Sequence, residues 1–159
     1  KVKRILPLTR LVHSVDSLRL AEEIQACPLQ REQPTEVLIQ VNTSGERGKY
    51  GIAPAAATHL IDQMDTMMNI RIRGLMCMAP QTDDLDTIRS TFIRTRELFE
   101  ELRISSVTGD SFDILSMGMS GDYELAVECG ANIVRVGSAI FGPPAESEET
   151  STTATSSDA

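Results

Sequence analysis

Residues 114–142, ILSMGMSGDYELAVECGANIVRVGSAIFG, hold two short apolar runs, each closed by a turn of glycine and serine, with a helix-sized stretch between them. Run, turn, amphipathic stretch and run is the pattern of a βαβ unit, whose strands lie parallel and whose crossover is right-handed. In the second run side chains alternate between faces, so Ile133, Arg135 and Gly137 share one face while Val134 and Val136 share the other. The valines suit packing beneath helices. The arginine then points into a barrel interior or a cleft, where a guanidinium without an acceptor is costly.

The turns carry the chemistry. Gly118, Met119, Ser120 and Gly121 close the first run and open a helix near Asp122, and Gly137 and Ser138 close the second. A glycine lets a ligand approach the main chain, a serine hydroxyl donates a hydrogen bond, and N–H groups at a helix start favour a phosphate. Two such turns on consecutive last strands match the phosphate site of (β/α)8 barrels. The competing reading is a glycine turn with a capping serine and an arginine paired to an internal carboxylate.

Upstream the same alternation continues. Strands are expected at 10–15, 36–42 and 72–78, and helices at 17–26, 53–68 and 83–103. The second helix carries Ala57, Leu60, Ile61, Met64 and Met68 on one face; the third carries Leu85, Ile88, Phe92, Leu98, Phe99 and Leu102, with Asp83 or Asp84 as its cap. With 112–118, 132–142 and a short helix at about 122–129, five strands are expected in a mostly parallel α/β sheet. Residues 143–159, PPAESEETSTTATSSDA, are acidic, rich in Ser and Thr and almost without apolar residues, which predicts a disordered tail.

Composition removes several classes of function. A net charge of −8, with Lys1, Lys3 and Arg4 as the one small basic cluster, argues against a nucleic-acid partner. No apolar run approaches the roughly 20 residues of a membrane span, and KVKRILPLTRLVHS is too short in its apolar part for a secretory signal. Cys27, Cys77 and Cys129 are far apart and odd in number, which favours a reducing cytoplasm over a disulfide framework. His13 and His59 form no ligand pair, and Asp83, Asp84 and Asp86 read as a helix start, so no metal site is expected. The chain begins without Met, as a fragment would.

LSMGMSGDYELAVECGANIVRVGSAIFG, together with VLIQVNTSGERGKYGI, RIRGLMCMAP and LVHSVDSLRLAEEI, closely resembles the pyridoxal phosphate homeostasis protein family, from residue 1 to about 142. The resemblance implies a TIM-type (β/α)8 barrel of the alanine racemase N-terminal kind, present here as an incomplete barrel of about strands four to eight. It implies pyridoxal 5′-phosphate as cofactor and a role in intracellular vitamin B6 and amino-acid homeostasis without catalytic turnover. By position it implies that Ser120, Gly137 and Ser138 bind the cofactor phosphate, that Arg135 faces the pyridine nitrogen, and that Met117 and Met76 pack against the ring. Asn42, on the inward face with Gln40, would line the barrel mouth.

The departures from the family pattern concern its first strands. The family's Schiff-base lysine, in an apolar-SK context on the first barrel strand, its glycine-glutamate-asparagine turn and its histidine segment have no counterpart here. The lysines of this chain are Lys1, Lys3 and Lys49, in polar or glycine-rich surroundings. The alternative is a pyridoxal-phosphate-dependent racemase or decarboxylase of the same superfamily, for which a further β-domain would be expected after AIFGPP.

Overall fold

The computed structural model describes residues 2–27, 33–46, 48–105 and 111–142. The expectation for the tail at 143–159 therefore lies outside the described residues, as do Lys1 and Arg47.

Helix α1 (Val2–Ile5) and a 3-10 turn (Leu6–Leu8) lead into strand β1 (Leu11–Val15). There follow α2 (Leu18–Gln25), β2 (Thr35–Val41), a 3-10 turn at Pro54–Ala56, α3 (Ala57–Asp65), β3 (Ile70–Cys77), α4 (Leu85–Ile104), β4 (Ile114–Ser116), α5 (Tyr123–Glu128) and α6 (Ser138–Phe141). The strands form one parallel sheet in the order β1-β2-β3-β4, as successive right-handed βα units require. Local chemistry fixes the helix starts: the Ser17 hydroxyl accepts from the Leu20 amide, and the Asp84 carboxylate accepts from the Asp86 amide.

One face of the sheet packs under helices. Val37, Ile39, Val41, Leu75, Leu115 and Met117 meet Ile24, Leu60, Ile61, Met64, Ile88 and Phe92 in a continuous core, and the Phe99 and Phe112 rings stack with centroids 5.2 Å apart. Leu85 and Met68, expected on helical apolar stripes, are instead 65% and 84% exposed. Leu85 stands at the first helical position of α4, and α3 ends at Asp65, so neither has a turn of helix behind it to hold it on the core face.

The opposite face is the inner one. Gln40 pairs with Met76, and Met76 with Ser116; side chains paired across a parallel sheet project on the same side. All three are buried, and His13 of β1 reaches Ser116 of β4 at 3.0 Å. Side chains from the first and fourth strands touch because the sheet is curled, as a barrel wall is.

The fifth strand is not formed as expected. Ile133 makes an isolated parallel bridge to Ser116, supported by bonds from the Met117 amide to the Ile133 carbonyl and from the Arg135 amide to the Gly118 carbonyl. Gly118, at φ +87°, turns the partner chain away after one further rung. Residues 138–141 are helix α6 rather than strand, and Val134 and Val136 are half-buried.

Candidate functional site

The site lies where β4 and the 133–137 segment end. Gly118 allows the turn: a Cβ there would stand 2.6 Å from Ala126 Cβ and 2.9 Å from Tyr123 Cα. The turn carries the Ser120 hydroxyl to the start of α6, where its oxygen accepts the Gly137 amide at 3.0 Å and the Ala139 amide at 3.3 Å. A hydroxyl oxygen that accepts two N–H groups still has its own proton to donate outward. Beside it, a Cβ on Gly137 would meet nothing within 4 Å, and Ser138 is exposed. Ser120, Gly137 and Ser138 thus converge. The Met119 amide is engaged by the Asp122 carboxylate at 2.5 Å and is not available to an anion.

Arg135 lies one step inward. Its Nη1 donates to the Ser116 carbonyl at 3.1 Å and the Ser116 hydroxyl at 2.7 Å, and its Nη2 to the Cys77 carbonyl at 2.8 Å. Among the described residues no carboxylate pairs with it, and Nε has no acceptor. Burial lowers the guanidinium's pKa from its ordinary value, which the nearby Cys77 and Asp122 counteract only in part. The carboxylate-paired reading of this arginine is therefore corrected: neutral oxygens hold it, and among the described residues no carboxylate is bonded to it.

The remaining expected residues divide. Met76, 4% exposed, shares the inner face with Ser116. Met117 does not: it follows Ser116 in the chain, so it projects to the other side and joins the helix-packed core. Asn42 is occupied with its own loop, donating to the Glu46 carbonyl at 3.0 Å and accepting from the Ser44 hydroxyl at 2.8 Å. That loop also holds Lys49, paired to Glu46 at 2.7 Å.

Two inner residues escape a reading by motif. Ser116 is the partner of Arg135, and His13 closes on Ser116 from the far edge of the sheet. They are 103 residues apart. Strand parity alone could have placed Ser116 inward, whereas nothing local marks the contact with His13.

Comparison with known proteins gives the family and the fold. The family model described as alanine racemase, N-terminal domain, matches residues 2–144. The chain is 40% identical over 144 residues to a Helicobacter pylori protein named pyridoxal phosphate homeostasis protein, covering 89% of this chain and 61% of that protein. A protein of the same name from Aquifex aeolicus is 37% identical over 142 residues, with the same shares covered. The chain thus spans about three fifths of the length of these relatives. Among solved structures, PipY of Synechococcus elongatus with pyridoxal phosphate bound matches with a TM-score of 0.78 at 30% identity, over 89% of this chain and 65% of PipY. Alanine racemase of Corynebacterium glutamicum, at 14% identity and a TM-score of 0.63 over 86% of this chain and 37% of that one, shares the fold. With a parallel, curled α/β sheet and a family match running over nearly all the described residues, the chain belongs to the alanine racemase N-terminal domain family.

Proposed function

We propose that this chain is the phosphate- and pyridine-holding part of a pyridoxal 5′-phosphate-binding protein that serves vitamin B6 and amino-acid homeostasis in the cytoplasm, without catalytic turnover. Its relatives' names and the PipY complex support the ligand. The observation that carries the reading is Arg135: a half-buried guanidinium held by neutral oxygens, with N–H capacity to spare, facing the interior beside a phosphate-suited turn.

The residues fit two ends of the cofactor. The Ser120 hydroxyl, whose oxygen takes the Gly137 and Ala139 amides and leaves its proton to donate, and the exposed Ser138 suit a dianionic phosphate. Because α6 is a single turn, these donors act individually and the helix dipole adds little. Arg135 suits an unprotonated pyridine nitrogen, since it donates a hydrogen bond and repels a second positive charge. Met76 offers an apolar surface on the same face. At the aldehyde end, Lys3 is exposed on α1 and Lys49 is paired in its loop, so among the described residues no lysine stands on the inner face.

When bound, the cofactor supplies an electrophilic aldehyde and an electron-withdrawing ring. Arg135 weakens that withdrawal by keeping a proton off the nitrogen, which suits holding the cofactor better than carbanion chemistry. Calorimetric titration tests the reading. Ser120→Ala combined with Ser138→Ala should weaken pyridoxal phosphate binding by about tenfold or more, as lost bonds to a charged group do, and leave pyridoxal binding little changed. Equal losses for the two ligands would remove the phosphate assignment.

A further inference from the structure

Gln40 lies on β2 at 4% exposure. The other buried polar residues among those described, Thr43, Thr91, Thr95 and Ser116, all make side-chain hydrogen bonds. Among the described residues the Gln40 amide makes none, although its main-chain carbonyl accepts from Ile52. Buried amides are nearly always satisfied, so one without a partner needs an explanation.

Its direction supplies one. Gln40, Met76 and Ser116 stand side by side on the inner face of three adjacent strands. The Arg135 guanidinium spans the last two of these strands, from Ser116 to the Cys77 carbonyl, and the Ser120 turn lies beyond β4. Neighbouring strands are about 4.8 Å apart. A ring with its nitrogen at Arg135 and its phosphate arm running toward Ser120 therefore turns its opposite edge toward β2. In pyridoxal phosphate that edge bears the 2-methyl and the 3-oxygen, and an amide recognises the oxygen.

We propose that Gln40 is a binding and specificity residue whose amide donates a hydrogen bond to the 3-oxygen of the pyridoxal ring. The assignment rests on the cofactor reading above and adds to it the recognition of the ring's substituents. It accounts for an amide buried beside Met76 where leucine would fill the same space.

The test crosses one substitution with two ligands. Wild type and Gln40→Leu are titrated calorimetrically with pyridoxal 5′-phosphate and with 3-deoxypyridoxal 5′-phosphate, which keeps the aldehyde, ring nitrogen and phosphate but lacks the oxygen. We expect Gln40→Leu to lose about tenfold or more in affinity for pyridoxal phosphate and to bind the deoxy analogue as wild type does. Without ligand it should melt at a higher temperature than wild type, because an unpaired amide is removed and no bond is lost. Equal losses for both ligands, an unchanged affinity for pyridoxal phosphate, or a lower melting temperature of the ligand-free variant would each overturn the assignment. Failure of the wild type to bind either ligand would overturn the cofactor reading itself, and this assignment with it.

Discussion

At the scale of single residues, the inner face is governed by who can donate. Arginine has no acceptor, so Ser116 Oγ accepts from Arg135 and its own proton points to His13 Nδ1. That assigns His13 as neutral, with its proton on Nε2. Burial first, and the Arg135 charge second, lower its pKa from the ordinary 6.5. Burial also pushes the Cys77 thiol up to about 11, so the sulfur is uncharged at neutral pH and it is the carbonyl that holds the guanidinium.

The sign of the linkage follows. Between the lowered folded value and 6.5 the unfolded chain binds more protons at this histidine, so stability falls as pH drops through that window. Above it the contribution is fully present. We expect the urea midpoint of the wild type to decrease between about pH 7.5 and about pH 5.5, and that of His13→Asn, which keeps an acceptor for the serine but cannot titrate, to decrease less. Parallel curves would show that His13 is not neutral by necessity.

Among the elements, strand β3 sets the register on which the site depends. Ile72 pairs with Val37 and Gly74 with Leu38, so Arg73 is the extra residue of a bulge. Gly74 has φ +151°, and a Cβ there would stand 1.8 Å from the Ile114 carbonyl oxygen. Gly74→Ala thus forces β4 away from β3 and carries Ser116, the anchor of Arg135, with it. A loss of about 2–4 kcal/mol in unfolding free energy is expected from equilibrium denaturation, in the range of backbone clash and strain. A loss below about 0.5 kcal/mol, the level of an indifferent substitution, would mean that the strand pairing adjusts freely.

The bulges also explain what could and could not be read from the sequence. Alternation and turn residues were enough for the parallel sheet, for the inward Arg135 and for the gathering of Ser120, Gly137 and Ser138. They do not carry Met117, which the resemblance sets against the ring although Ser116 beside it takes the inner face. They failed at the last strand, where the Gly118 turn ends the pairing that an apolar run alone would promise. Irregularities at residues 12–15 and at Arg73 leave no mark on hydrophobic period. Parity placed Gln40 inward, but only three-dimensional packing shows that its amide has no partner.

For the whole molecule, the two ends of the curled sheet differ in finish. At the N-terminal mouth Arg73 bonds Glu36 at 2.5 Å and Asp113 at 2.8 Å, tying three strands together. Conserving stability at that end and placing ligands at the C-terminal end is the division of labour of barrel folds. The lateral edges are less guarded: among the described residues neither β1 nor the 133–137 segment has a neighbour on its outer side. Apolar side chains flank both, with Leu8 84% exposed before β1, and Ile140 and Phe141 67% and 84% exposed on α6.

Unpaired edges with apolar flanks favour association. Burial of Ile140 and Phe141 contributes about 1.5–3 kcal/mol each, so Ile140→Lys combined with Phe141→Glu should weaken self-association of the chain by about a hundredfold or more. Sedimentation velocity across a concentration series reads this directly. The wild-type chain should shift to heavier species as concentration rises, and the double variant should remain lighter over the same series. Neither position contributes to the bonds that hold Arg135 or Ser120, so ligand binding in the variant should match the wild type at concentrations where both are monomeric. A wild-type chain that sediments as one monomeric species throughout and unfolds in a single sharp transition would show that its edges are closed by means other than a neighbouring strand.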